Sequence, residues 1–262
     1  MKLILSLVLV LSTVVCQAAD VELPSKENFH LFLLVGQSNM AGRGKVSDAD
    51  RKAHERVLMF SKKQEWVPAV DPLHFDKPVA GTGLGKTFGI VVASKNLKVT
   101  VGLIPCAVGG SPIDSWKVGG YHRSTKTHPY DDAMKRAHVA LKAGTLKGIL
   151  WHQGESDSRN GLSRTYEAKL HELIGRFRKE LSAPKIPFIA GQMGQFAERP
   201  WGEEKKTVDA AHCQLPNKVN FTAFVNSNGL KHNGDKVHFD SASYRELGKR
   251  YAKAYWALID QK

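Results

Sequence analysis

Hydrophobic residues gather in five short runs, at 30–35, 99–104, 148–151, 187–190 and 221–225, and none alternates with polar positions as a half-exposed strand would. Runs of this kind suit strands of a parallel sheet covered on both faces. Between them the period changes to that of a helix, at 86–95, 132–142, 163–181, 203–211 and 241–258. In the last stretch Tyr244, Leu247, Tyr251, Tyr255 and Leu258 form one apolar stripe. Strand and helix in alternation predict one α/β domain over residues 20–262, with a central parallel sheet of about five strands. Residues 41–85 interrupt the rhythm. Their weak periodicity and several prolines read as an extended loop region with a short helix near 50–56.

In an open parallel sheet, ligands bind beyond the carboxyl ends of the strands. That rule turns the strand list into a site. Gly36-Gln37-Ser38-Asn39-Met40 follows the first run, Gly109-Gly110-Ser111 the second, and His152-Gln153-Gly154-Glu155 the third; Asp235 and His238 follow the fifth after a short loop. A serine hydroxyl becomes a nucleophile when a histidine takes its proton, and the histidine works best when a carboxylate holds its other nitrogen. Ser38, His238 and Asp235 supply those three groups, and the three-residue spacing of the last two allows both to face one side. Attack on an ester also needs donors for the developing oxyanion. The backbone N–H of Ser38, an N–H of the Gly109-Gly110 turn and the side-chain amide of Gln153 are the candidates. Each residue alone has an ordinary structural reading, as a helix cap, a turn or a loop tie; their joint placement points to catalysis.

The chain has 262 residues, 42% hydrophobic and 24% charged, which excludes a disordered or collagen-like protein. Lys and Arg outnumber Asp and Glu by 38 to 25, a net charge of +13. The basic residues are scattered, without the basic and aromatic stripe of a nucleic-acid module, so nucleic acid is not an expected partner. At the amino terminus Lys2 precedes an apolar run from Leu3 to Val15 and small residues around Cys16, Ala18 and Ala19. This is the layout of a secretory signal peptide, here assigned to residues 1–19, so the mature protein is expected to be secreted or periplasmic. Lipidation at Cys16 is disfavoured by the bulk of Val15 before it. No other apolar stretch reaches the roughly 20 residues that span a bilayer, so no stable membrane anchor is expected. Cys106 and Cys213 are read as unpaired thiols, since two cysteines in so long a chain are not a disulfide framework. No CxxC or HxxxH spacing suggests a metal. The stretch from Ala80 to Thr87 nearly spells a phosphate-binding loop, but its first glycine is alanine and Phe75-Asp76-Lys77-Pro78 is no buried strand.

Four segments together resemble a known group. They are Gly36-Gln37-Ser38-Asn39-Met40-Ala41-Gly42-Arg43-Gly44, Ile104-Pro105-Cys106-Ala107-Val108-Gly109-Gly110-Ser111, Trp151-His152-Gln153-Gly154-Glu155-Ser156-Asp157 and Asp235-Lys236-Val237-His238-Phe239. In this order they are similar to the blocks of the SGNH hydrolase superfamily, and most like its sialate O-acetylesterase and acetyl xylan esterase branch, carbohydrate esterase family six. The resemblance implies a three-layer α/β/α, flavodoxin-like sandwich and removal of O-acetyl groups from sugars, with Ser38 as nucleophile and Asp235 and His238 as the Asp-x-x-His pair. It places Gln153 where the wider superfamily offers an asparagine to the oxyanion, and favours Gly110 over Gly109 with the register open by one. Gln37, Asn39 and Glu155 belong to the pattern as site support or substrate contacts. Trp116 also fits it, either as a wall on which a sugar stacks or as core.

The implied reaction is two-step acyl transfer through an acetyl-enzyme, with an acetylated carbohydrate as substrate and no metal or organic cofactor. Because the base must be neutral, activity is expected to fall as pH drops through the ordinary histidine range near ~6.5. A carbohydrate-binding protein on the same fold that has lost turnover is the alternative. Substrate choice is expected to rest on residues 41–85 and 198–201.

Overall fold

In a computed structural model, residues 21–260 are described; the signal peptide assigned to residues 1–19 lies outside them. Strand β1 (Phe29–Gly36) shows why the apolar runs do not alternate. Phe29, Leu31, Leu33 and Val35 enter one core, while Phe32 and Leu34 enter the other on the opposite face of the sheet. Successive side chains of a strand point to opposite faces, so a strand buried on both sides is apolar throughout.

Six further strands complete the sheet: β2 (Val57–Phe60), β3 (Trp66–Pro68), β4 (Thr100–Pro105), β5 (Thr145–His152), β6 (Phe188–Gly191) and β7 (Thr222–Val225). Their spatial order is β3-β2-β4-β1-β5-β6-β7. The neighbouring pairs are parallel except for β2 with β3. The five strands legible in the sequence are β1, β4, β5, β6 and β7, and in space they run 2-1-3-4-5, the flavodoxin-like order. The chain leaves β1 first to one side and later to the other, so a crevice opens at the carboxyl ends of β1 and β5.

The helices are α1 (Ser38–Ala41), α2 (Asp48–Arg51), α3 (Gly85–Ser94), α4 (Pro129–Ala140), α5 (Tyr166–Glu180), α6 (Glu203–Cys213), α7 (Leu215–Lys218) and α8 (Ser241–Ile259). Tyr130, Ala133 and Ala137 of α4, Leu170, Ile174 and Phe177 of α5 and Val208 of α6 cover one face. Phe88 and Val92 of α3 with Tyr244, Leu247, Tyr251 and Tyr255 of α8 cover the other. The result is the expected three-layer sandwich.

The sheet is wider than expected, because the region read as an extended loop contributes two strands. Val57, Leu58 and Met59 of β2 pair with Val101, Gly102 and Leu103 of β4, and β3 folds back on β2 with Phe60 opposite Trp66. Trp66 then packs edge-on against Phe29, with ring centroids 4.6 Å apart. The short helix of this region is one turn, α2, ending earlier than read. Asp50 closes it by accepting the N–H and hydroxyl of Ser47, and Arg245 of α8 binds both its oxygens. Cys106 is buried and free, and burial pushes its thiol up to about 11; Cys213 is free and exposed. Among the described residues no helix is long and apolar enough to cross a membrane.

Candidate active site

At the end of β1 the chain must turn off the sheet hard against β5. Gly36 makes this possible: its φ is +127°, and a Cβ there would lie 2.2 Å from the carbonyl oxygen of His152. The N–H of Gln37 then donates to that carbonyl at 2.9 Å, and Ser38 opens α1 at the crevice. Ser38 is largely buried, with 7% of its surface exposed.

The loop after β7 brings the histidine to it. Asn233 N–H donates to the carbonyl of His238 and Asp240 N–H to that of Lys231, which closes a tight turn ahead of α8. Within the turn, Asp235 Oδ1 accepts the N–H groups of Val237 and His238, each at 2.8 Å. Its Oδ2 accepts Nδ1–H of His238 at 2.5 Å, which leaves Nε2 to accept the Ser38 hydroxyl at 2.8 Å. Burial pushes the Asp235 carboxyl up, but the His238 and Val237 bonds outweigh it and hold the group below its usual range. Asp235 is therefore ionised at neutral pH, as a histidine-orienting group must be.

Two more loops frame this trio. In the loop after β4, Val108 N–H donates to Gly36 O, and the chain turns at Gly109-Gly110. Gly110 has φ +84° and borders the same cleft as Ser38, whereas Gly109 gives its N–H to Asp76 Oδ2 at 2.8 Å. Of the doublet, Gly109 thus has its N–H engaged, which leaves Gly110 as the candidate. In the loop after β5, Gln153 does not face the cleft. It is fully buried; its amide nitrogen donates to Ser111 O at 3.1 Å and to Asp157 Oδ2 at 2.5 Å, and its oxygen accepts from Tyr166 at 2.8 Å. With both amide hydrogens engaged, Gln153 has none for an oxyanion, so its expected role is corrected to that of a brace between loops.

The support residues fall where they can act. Asn39 is fully buried; it donates to Glu155 Oε1 at 2.6 Å and to Val237 O at 3.1 Å, and its oxygen accepts from Tyr244 at 2.6 Å. Gln37 Oε1 receives the N–H groups of Gly154 and Ser156 at 3.5 and 3.3 Å. Glu155 borders the cleft, and its Oε2 is buried with no hydrogen-bond partner among the described residues. Trp116 is 1% exposed, donates to Ser111 Oγ at 2.9 Å and meets Trp151 edge-on, so it belongs to the core and not to a sugar-stacking wall.

The cleft over Ser38 has a volume of about 640 Å³, and beyond the catalytic edge Arg159, Arg199, Pro200 and Lys205 line it. Of the 198–201 stretch Arg199 and Pro200 line the cleft, whereas none of the lining residues comes from 41–85. Among the described residues no group of three or more His, Cys, Asp or Glu side chains is arranged to hold a metal. Sequence reasoning missed Asp76, Asp157 and Tyr166. The four-residue spacing of Gln153 and Asp157 was a usable signal for that pair, whereas nothing local marked Asp76.

The family model of carbohydrate esterases described as sialic acid-specific acetylesterases matches residues 28–257. The chain belongs to this family. A curated relative, a probable carbohydrate esterase of Arabidopsis thaliana, is 30% identical over 257 residues, covering 90% of this chain and 93% of its own. The X-ray structure of that plant protein superposes with a TM-score of 0.78 over 88% of this chain and 98% of its own. NanS, 16% identical, shares the fold with a TM-score of 0.75 over 91% of this chain and 99% of its own. A carbohydrate acetylesterase from Xanthomonas citri, 20% identical, does so at 0.69 over 88% of this chain and 57% of its own. The family model spans all four blocks, from before Ser38 to beyond His238.

Proposed function

We propose that this carbohydrate esterase removes O-acetyl groups from sugars through Ser38, His238 and Asp235. The observation that carries the reading is the unbroken line from Asp235 Oδ2 through both ring nitrogens of His238 to Ser38 Oγ. His238 Nε2 takes the serine proton as Oγ bonds to the acetyl carbon, and the carbonyl oxygen becomes an oxyanion beside the N–H groups of Ser38 and Gly110. Collapse breaks the bond to the sugar oxygen, which leaves with the proton from His238. Water, deprotonated by the same histidine, then attacks the acetyl-enzyme and releases acetate and free Ser38. Asp235 keeps its charge throughout and stabilises the imidazolium.

Acetylated sialic acid, acetylated xylan and related glycans are the substrates this reading admits. The family description and the relatives' names support the sugar class. The apolar run near the amino terminus supports export as part of the same proposal. N-terminal sequencing of protein recovered outside the cell should give a first residue at or next to Ala19; an intact Met1 would remove that part.

The deciding experiment measures acetate release from O-acetylated sialic acid, acetylated xylan and 4-nitrophenyl acetate by the mature protein and by Ser38→Ala. Wild type should turn over at least one of them, and the variant should lose about 10⁴-fold or more in kcat. A wild type inert on all three, or a variant equal to it, overturns the reading.

A further inference from the structure

Outside the Ser38, His238 and Asp235 trio, a buried ion pair grips the loop on which Gly110 stands. Arg43 Nη2 lies 2.7 Å from Asp76 Oδ2, and the two side chains are 7% and 1% exposed. The same Oδ2 accepts the N–H of Gly109 at 2.8 Å, while Arg43 Nη1 donates to Gly42 O at 2.7 Å. One carboxylate oxygen thus joins the segment that follows the nucleophile to the turn that follows β4. Two residues earlier in the same stretch, His74 Nδ1 accepts the N–H of Ala107 at 3.3 Å. The 74–76 segment therefore holds the β4 loop at two points, one on each side of Val108.

A buried ion pair is weak evidence for stability, since desolvating both charges offsets most of their attraction. Its geometry indicates a different use. A Cβ on Gly109 would lie 2.4 Å from Arg43 Nη2 and 2.6 Å from Asp76 Oδ2, so the first glycine of the doublet lets the pair approach this closely. The second is required by φ +84°. With the Gly109 N–H held by Asp76, the 108–109 peptide is fixed, and Gly110, which lines the same cleft as Ser38, follows it directly.

We infer that Arg43 and Asp76 are positioning residues for the esterase reaction, clamping the Gly109 peptide so that the Gly110 N–H meets the oxyanion. This rests on the reading of Ser38 as nucleophile given above. Such a donor works only when held within hydrogen-bond distance of the place where charge develops, and a misplacement of about 1 Å costs about 10²-fold in rate. Because the donor acts in the transition state, its loss lowers kcat and leaves KM alone.

The test uses the mature chain, Asp76→Asn and Arg43→Lys, with 4-nitrophenyl acetate as substrate. Active sites are counted by complete covalent titration with a 4-nitrophenyl phosphonate, so that kcat is expressed per functional serine. Asp76→Asn should lose about 100-fold in kcat per titrated site and Arg43→Lys about 10-fold, with KM within about 3-fold and the acid limb of kcat/KM unmoved. A purely structural pair would lower the titre and leave kcat per site at the wild-type value, and that result overturns the inference. If Asp76→Asn does not fold, Arg43→Lys decides by the same criterion. A wild type that neither turns over nor takes the phosphonate fails the esterase reading itself, an outcome distinct from a normal kcat in the variants.

Discussion

Asn39 donates to Glu155 Oε1 at 2.6 Å, binding the residue next to Ser38 to the loop at the end of β5. The same side chain reaches Val237 O and receives the hydroxyl of Tyr244, so one amide ties three segments far apart in the chain. One buried side chain thus holds the loop that carries His238 against the turn that carries Ser38. Asn39→Ala leaves the buried Tyr244 hydroxyl and Glu155 without this partner, and unfolding in urea should show a loss of about 2 kcal/mol. An unchanged midpoint would remove Asn39 from the framework.

The two glycines after β4 answer different demands, and alanine should separate them. At Gly110 a Cβ has open space, its nearest neighbour being Lys77 Nζ at 3.9 Å, so Gly110→Ala costs only the strain of a positive φ, about 1 kcal/mol. At Gly109 the added carbon collides with a buried ion pair, and the cost should be at least about twice that. Thermal unfolding of both variants checks the ranking; equal losses would mean that the pair gives way freely.

Trp116→Phe removes the N–H that reaches Ser111 Oγ while keeping most of the ring. It should cost about 1 kcal/mol of stability and leave KM for every acetylated sugar as it was. A rise in KM without a change in stability would return this residue to the substrate.

Burial holds His74, His152 and His212 down to about 3, far below the ordinary histidine value of 6.5. The unfolded chain takes up these protons below about pH 6.5 and the folded chain does not until near 3. The stability they confer is therefore complete above 6.5 and is lost as pH falls toward 3. Burial acts with the opposite sign on Asp71 and Asp157, raised to about 7 and about 6, which makes the wild-type dependence shallower than three histidines alone would give. The contribution of one histidine is isolated by His212→Gln. Its stability gap to wild type should narrow by about 1.4 kcal/mol per pH unit between pH 6 and 4. Parallel curves in urea would refute the assignment.

Much of the architecture was legible because it rests on burial from both sides. Strands β1, β4 and β5 announce themselves as apolar runs, and the stripe from Tyr244 to Leu258 does the same for α8. Strands β2 and β3 were not legible. Val57 to Phe60 is a short apolar run inside a stretch whose prolines and weak periodicity read as loop, and β3 is an edge strand whose identity depends on its pairing with β2. At the site, Ser38, Asp235 and His238 could be read because their chemistry demands those residue types at strand ends, and the structure brings them within hydrogen-bond reach. Gln153 was misread because sequence shows that an amide is near but not which carbonyl or carboxylate has already claimed its hydrogens. Asp76 was silent for a related reason: its partners, Arg43 and Gly109, each lie 33 residues away, where no local pattern records them.

The serine and its histidine stand 200 residues apart, one at the end of β1 and the other just ahead of α8. A nascent chain emerging from the ribosome exposes its serine early and acquires its base almost last. On the proposed mechanism, a serine without that histidine has no group to take its proton. A chain stopped ahead of His238 should therefore carry the proposed nucleophile without its base.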